Sequence, residues 1–270
     1  MLRLKRGVKI FVLNIIDGIL QSSFLNSLHE KLLLHFPALS KASVITENPL
    51  KMALRRLVAN RISIGFVMDG NRRHAKSFGK RTKEGHLKGA EKLMDVMKIF
   101  KEIRCPRAAF FAFSKKNYRR TPEEVSDLIE IFEKNLDSMK NSLDTKDITQ
   151  IDVKQVKIFG DILTLPEKLH SNIGHINQAG TEGKSAFILV AYSSLEEYVK
   201  TGSDGVPKID IIIRTGGEKR LSDFLLCNAS NGSMVAFLAV KWPLFTLWHL
   251  VLVVLKYRLE ESLIEDKSRS

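Results

Sequence analysis

The chain is predicted to fold as an α/β protein. A central, mostly parallel sheet is flanked by helices and preceded by an N-terminal amphipathic helical segment. Three observations carry this prediction. From Ile62 onward, short apolar runs alternate with segments of helical period, the pattern of strand–helix–strand units. Three of those runs lead directly into clusters rich in arginine and glycine. Residues 1–60 differ from the rest: Arg3, Lys5, Arg6, Lys9, Lys31, Lys41, Lys51, Arg55 and Arg56 face only Asp17, Glu30 and Glu47, with apolar clusters between them. The expected organisation is a basic segment at 1–60, a main domain at 61–260 and a polar tail at 261–270.

The elements follow in order. Residues 62–68 form an apolar strand, and 85–103 a helix with Leu87, Ala90, Met94, Met97 and Phe100 on one face. Residues 108–113 form the next strand. Thr121 then reads as an N-cap, Pro122 as the first helical residue and Glu124 as the end of a capping box. Val125, Leu128, Ile129, Phe132, Leu136 and Met139 continue that helix. A strand at 156–159, a helix at 166–180 and strands at 186–191 and 209–213 complete the alternation. The apolar run 244–255 is too short to span a membrane and reads as a buried helix.

Bulk properties bound the function. With 44% hydrophobic residues in 270, the chain builds a real core, which excludes a disordered protein. Its formal charge of +13 calls for an anionic partner: nucleic acid, a membrane surface or a phosphorylated substrate. Nucleic acid would need a basic face interleaved with aromatics or a known module, and neither is found. Cys105 and Cys227 make no disulfide framework or metal motif and read as two buried thiols. The first twenty residues resemble a signal peptide. Asn14 and Asp17 interrupt the apolar run, and no small-residue cleavage site follows, so the segment is read as uncleaved and lying on a membrane interface. An ordinary helical layer packed on the core is the alternative.

The chemistry lies at three strand ends. The run 64–68 leads into Asp69-Gly70-Asn71-Arg72-Arg73. Phe110-Phe111-Ala112-Phe113 leads into Ser114-Lys115-Lys116-Asn117-Tyr118-Arg119-Arg120. The third run, 211–213, leads into Arg214-Thr215-Gly216-Gly217-Glu218-Lys219-Arg220-Leu221-Ser222. In a parallel sheet the C-terminal strand ends point one way and ligands bind outside them, so the three clusters converge. Arg73, Arg120, Arg214 and Arg220 are forked donors suited to phosphate oxygens. Ser222 is placed near the start of a helix running into Asp223-Phe224-Leu225-Leu226. Asp69, a lone carboxylate among cations, is suited to Mg²⁺ bridging to diphosphate. Any one of these arginines alone would read as a solvated surface charge; the three clusters together carry the argument.

These residues resemble a known family. Val67-Met68-Asp69-Gly70-Asn71-Arg72-Arg73-His74-Ala75-Lys76 with Glu84-Gly85-His86 is similar to the first signature of the undecaprenyl and dehydrodolichyl diphosphate synthases, the cis-prenyltransferases. The runs 112–120 and 213–226 resemble the second and third signatures, and Trp242-Pro243 the Trp-Pro that follows. The Asn-Arg-Arg form looks eukaryotic. The resemblance implies condensation of isopentenyl diphosphate onto an allylic diphosphate, with Mg²⁺ at Asp69. It implies that Gly70, Asn71, Arg72, Arg73, His74 and His86 hold the allylic diphosphate. Arg214, Arg220 and Ser222 would grip isopentenyl diphosphate. Ser114, Asn117, Tyr118 and Arg120 would lie between, with Asn117 assisting proton removal. The apolar faces of the helices 85–103 and 122–140 offer a tunnel for the growing chain.

Departures accompany the resemblance. His74 stands where the family has an aromatic residue, Cys227-Asn228 replaces Trp-Gln, and Ser233 falls near where bacterial members carry a second metal-binding Glu. The segment between Tyr192 and Ile209 is short for the family, which implies a missing helix. No Arg-x-Gly follows Lys256, which implies a Nogo-B-receptor-like partner subunit, or else a homodimer. The apolar stretches 235–238 and 244–255 are candidates for that interface, with intramolecular core as the alternative. The implied location is the cytosolic face of the endoplasmic reticulum membrane. A non-catalytic subunit is the rival reading, although such subunits lack the Asp and arginines present here.

Overall fold

The computed structural model describes residues 5–22, 49–58, 61–143, 152–179 and 183–268. Its apolar runs become the strands β1 (Ile64–Val67), β2 (Ala108–Ser114), β3 (Val156–Gly160), β4 (Ala186–Tyr192), β5 (Ile211–Arg214) and β6 (Met234–Phe237). They form one sheet in the order β3-β4-β2-β1-β5-β6, and every neighbouring pair is parallel. Strands buried on both faces need no polar alternation, which is why β1 and β5 read as unbroken apolar runs. At the β3 edge, the Asn177 side chain accepts from Ile158 N at 2.7 Å and donates to Ile158 O at 2.9 Å.

The helices are α1 (Arg6–Gln21), α2 (Asn71–Ser77), α3 (Thr82–Glu102), α4 (Pro122–Ser142), α5 (His170–Gln178), α6 (Ser194–Thr201), α7 (Leu226–Ser230) and α8 (Leu247–Ser268), with a further helical stretch at 49–58. The larger core cluster joins one sheet face to α3, α4, α5 and α8 through residues such as Phe66, Phe100, Phe110, Leu136 and Val254. A smaller cluster on the other face holds Phe111, Leu189, Ile212, Phe224 and Leu225. α8 is apolar over 247–255 apart from His249, where Leu250, Val251, Val253 and Val254 enter the core, and it carries charge from Lys256 on; α1 packs against it. Two cross-pairs fix that docking: Lys9 Nζ to Asp266 Oδ2 at 2.6 Å, and Lys256 Nζ to Asp17 Oδ1 at 2.6 Å.

Several expectations change. A helix does stand between Tyr192 and Ile209: Ser193 caps α6 by accepting from Glu196 N. The 166–180 helix is split into a 3₁₀ turn, Glu167–Leu169, and α5. The inner face of α3 is centred on Gly85, His86, Gly89, Val96 and Met97, while Leu87 is exposed. Of the face expected from apolarity, Met97 and Phe100 are buried and Ala90 and Met94 face the cavity, while the glycines mark the closest approach of α2. The stretches 235–238 and 244–255 are largely core: Ala236, Leu238, Leu250, Val253 and Val254 are buried within this chain, so they offer little interface. Residues 261–268, set apart as a polar tail, continue α8. Both cysteines are partly buried rather than fully so; the Cys105 thiol lies against the Ile62 and Arg107 carbonyls, and desolvation pushes it up to about 12. α1 presents Val8, Phe11, Ile15 and Ile19 to solvent, whereas Lys9 is turned inward. The Leu32-Leu33-Leu34 cluster, with Lys31 and Lys41, lies outside the described residues.

Candidate functional site

The connection leaving β1 runs to β2 on one side, and the one leaving β5 runs to β6 on the other. Such a switch in direction opens a crevice at the strand ends. Val67 pairs with Arg214 in register, so Asp69, two residues on, lies beside Arg214. Asp69 Oδ2 accepts from Arg214 Nη2 at 2.7 Å, and Oδ1 from Gly70 N at 2.7 Å. Arg73 Nη2 is 3.4 Å from Oδ1. Thr215 Oγ1 donates to Asp69 O at 2.8 Å, and Trp242 N donates to the same carbonyl at 2.9 Å. The first and third motifs are therefore locked together by backbone and side chain alike.

Arg214 is the hub. Only 4% of its side chain is exposed, and Nη1 donates to Arg220 O and Ser222 Oγ, both at 2.7 Å. Its Nε is a buried donor without a hydrogen-bond partner. Ser222 is not at a helix start. Ser222, Asp223 and Leu225 have positive φ (53°, 68° and 49°), and α7 begins only at Leu226, because left-handed residues cannot continue a right-handed helix.

The first motif is held by packing. Gly70, at φ 111°, turns the chain from Asp69 into α2. A Cβ on Gly85 would stand 2.2 Å from Asn71 O, and one on Gly89 would stand 2.5 Å from Asn71 Oδ1. α2 therefore lies directly on α3. Trp242 fixes the other side of α3 by donating from Nε1 to Gly89 O at 2.8 Å.

Asp69 is not a lone carboxylate. Glu218 pairs with Arg73 at 3.6 Å and with Arg220 at 2.5 Å. Glu124 accepts from Arg120 Nη1 at 2.7 Å, lies 3.0 Å from His86 Nε2, and sits 3.7 Å from Arg72. The expected capping box is thus half made: Thr121 Oγ1 accepts from Glu124 N, but the Glu124 carboxylate serves the site instead. Burial pushes Glu124 up, yet the His86 hydrogen bond and the charges of Arg120 and Arg72 outweigh it and hold the carboxyl low. Burial lowers His86, partly offset by Glu124, so the ring is neutral near pH 7.

A cavity of about 400 Å³ opens here. Asp69, Asn71, Arg72, His86, Ser114 and Asn117 line its polar end, as do Arg120, Arg214, Arg220 and Ser222. Leu93, Met94, Phe132, Leu136 and Met139 line the apolar part, so α3 and α4 supply the greasy wall expected of them. Gly70, Arg73, His74 and Tyr118 do not line it. His74 packs on Phe78 with ring centroids 4.6 Å apart, and Tyr118 donates to Thr164 O beside a separate cleft. Asn117 Oδ1 accepts from Ser114 N at 2.9 Å, which fixes the orientation of the amide and leaves its N–H pair for donation. Ser233 is turned to backbone, donating to Ile209 O and Asn228 O. Lys116 and Asn135 also line the cavity and were not anticipated; Asn135 sits on the inner stripe of α4, where a polar residue gives no periodic signal. Among the described residues no three His, Cys, Asp or Glu side chains gather as a metal cage. One strand-end carboxylate fits Mg²⁺ held jointly with substrate phosphates, the usual mode for that ion.

Comparison with known proteins agrees with this geometry. The chain matches the family model for undecaprenyl diphosphate synthases over residues 67–203 and 192–264. A dehydrodolichyl diphosphate synthase of Encephalitozoon cuniculi is 27% identical over 95% of this chain and 97% of that protein. The human dehydrodolichyl diphosphate synthase complex subunit is 30% identical, covering 75% of this chain and 68% of that one. A tritrans,polycis-undecaprenyl-diphosphate synthase of Thermoplasma acidophilum is 30% identical over 76% of this chain and 88% of its own. Lavandulyl diphosphate synthase from Lavandula x intermedia, solved with dimethylallyl diphosphate, shares the fold with a TM-score of 0.58 at 23% identity, covering 73% of this chain and 94% of that one.

Proposed function

This chain belongs to the undecaprenyl diphosphate synthase family, the cis-prenyltransferases, and on that premise we propose how its residues divide the work. The enzyme condenses isopentenyl diphosphate onto an allylic prenyl diphosphate in cis to make a polyprenyl diphosphate. The proposed product is of the dehydrodolichyl type, serving dolichol synthesis. In this reading Asn71, Arg72 and His86 hold the allylic diphosphate, with Arg120 beside them. Arg220 and Ser222 hold isopentenyl diphosphate, and buried Arg214 keeps both sets in register. Asn117 donates its N–H groups to phosphate oxygen. Asp69 would hold Mg²⁺ together with diphosphate oxygens, and the ion would neutralise charge developing on the leaving group. As the allylic C–O bond breaks, Arg72 and Arg120 stabilise the departing diphosphate, and the apolar wall shields the carbocation and seats the hydrocarbon.

One observation carries the division: Asp69 and Arg214 meet at 2.7 Å where a guanidinium-lined mouth passes into an apolar cavity. The test is steady-state kinetics with labelled isopentenyl diphosphate and farnesyl diphosphate. Arg220→Ala should raise KM for isopentenyl diphosphate about ten- to a hundredfold, the loss of a charge-assisted contact. Arg72→Ala should act mainly on the allylic substrate. Equal effects of both variants on both substrates would remove the assignment.

Two finer readings accompany it. The exposed apolar row Val8, Phe11, Ile15 and Ile19 on α1 supports peripheral attachment to a lipid surface, the cytosolic face of the endoplasmic reticulum being the proposed location. Among the described residues no helix is long and apolar enough to cross a membrane. Phe11→Asp with Ile15→Asp should release the protein from anionic liposomes in flotation. A Nogo-B-receptor-like subunit, or a second copy of this chain, is the proposed partner; added subunit should raise the turnover of the purified chain.

A further inference from the structure

Asp204 is 1% exposed and does not line the cavity, yet its carboxylate gathers more donors than any contact in the substrate site. Oδ1 accepts from Ser194 Oγ and from Cys227 N at 3.2 Å. Oδ2 accepts from Asn228 N at 2.6 Å and Asn228 Nδ2 at 2.9 Å. The Asp204 carbonyl accepts from Tyr192 OH at 3.0 Å. Ser194, also fully buried, relays the grip: its Oγ accepts from Leu226 N at 2.9 Å, and its N donates to Asp223 O at 3.1 Å. Leu195 N donates to Asp223 Oδ1 at 3.0 Å.

Apart from the Tyr192–Asp204 and Ser194–Asp204 bonds, these contacts close on residues 223–228. Residues 222–225 contain three side-chain-bearing residues in the left-handed region, a conformation that L-residues avoid unless their surroundings impose it. On the cavity side the segment is held by Arg214 through Ser222 Oγ. On the far side, contact with Ser194 and Asp204 holds the residues that follow. The geometry points to Asp204 as a positioning residue for the isopentenyl diphosphate subsite, acting through Ser194 and Asn228 to keep Ser222 and Arg220 at the cavity. The inference rests on the assignment of Arg220 and Ser222 to isopentenyl diphosphate.

The experiment measures KM for each substrate in the full chain. Asp204→Asn turns one acceptor into a donor facing Asn228, and should raise KM for isopentenyl diphosphate about tenfold while KM for farnesyl diphosphate stays within about twofold. Adding Asn228→Asp gives the new amide an acceptor and still accepts from Ile209 N, which the Asn228 side chain does now at 2.7 Å; it should restore most of the loss. Arg220→Ala, run alongside, separates the two claims. If Arg220→Ala raises KM for isopentenyl diphosphate and Asp204→Asn does not, positioning by Asp204 is overturned. If Arg220→Ala has no such effect, the subsite assignment itself has failed. Should Asp204→Asn not accumulate as folded protein, Ser194→Ala carries the same test. A fall in thermal stability with both KM values unmoved, or moved equally, refutes the inference.

Discussion

The first and third motifs meet at the Asp69–Arg214 and Arg73–Glu218 ion pairs, yet they are held by different physics. Asn71-Arg72-Arg73 is held by contact. α2 rests against glycines of α3 so closely that a single methyl at Gly85 would overlap the Asn71 carbonyl. The 214–226 loop is held by hydrogen bonds to buried polar groups, and its backbone sits where side chains are unwelcome. A packed motif tolerates polarity changes and fails on added volume; a bonded one tolerates volume and fails when an acceptor is removed.

The largest expected effect falls where the two meet. Asp69→Asn should lower turnover about 10²–10³-fold, the usual loss of a principal electrostatic group, with little change in circular dichroism. Asp69→Ala should in addition leave Arg214 Nη2 without its acceptor and cost about 1–3 kcal/mol of stability in a denaturant titration. Near-normal rates in either variant would end the proposed role of Asp69.

Gly85→Ala tests the packed motif alone. Overpacking at 2.2 Å should cost about 1–3 kcal/mol and lower Tm by roughly 2–4 °C for each kcal/mol. Gly174→Ala in α5, where nothing lies within 4 Å, should instead stabilise by about 0.5–1 kcal/mol. The same outcome for both in calorimetry would remove the steric account. Ser222→Ala tests the bonded motif: one of two acceptors of Arg214 Nη1 disappears, worth about 0.5–1.5 kcal/mol, or a two- to tenfold rise in KM for isopentenyl diphosphate.

The smallest effect is one of pH. His86 has its pKa lowered from 6.5, chiefly by burial, so the unfolded chain binds a proton that the folded one does not. Its contribution is fully present above 6.5 and is lost as pH falls from 6.5 toward the lower folded value. Unfolding free energy of the wild type should therefore drop across that window, and His86→Gln should flatten the drop.

Alternation and strand-end clusters were legible because a parallel sheet writes them as local runs. The three motifs stood in the sequence in their right order, and the cavity walls followed from the period of α3 and α4. What was hidden depends on distance through space. Glu124 reads as a cap, since nothing local tells that its carboxylate faces His86 and Arg72. Leu87 reads as core, although it lies at the surface and the contact is made at Gly85. Ser222 reads as a helix start, because three positive φ angles at non-glycine positions leave no trace in residue type. Asp204 gives no reading, since nothing local marks a carboxylate that bonds residues 23 and 24 positions later.

The clasp between α1 and α8 has a consequence in time. Its ion pairs join residues 257 and 239 positions apart. At roughly 5–20 residues per second of synthesis, about ten to fifty seconds separate the appearance of α1 from that of its partner helix. During that interval α1 has neither Asp266 nor Lys256 to hold it, and Ile16 and Leu20 are bare along with the row it leaves outward in the finished protein. A nascent helix apolar on two sides is thus exposed before its own fold can cover it, and under the proposed lipid attachment the docking of α8 sets how much of its apolar surface stays outward.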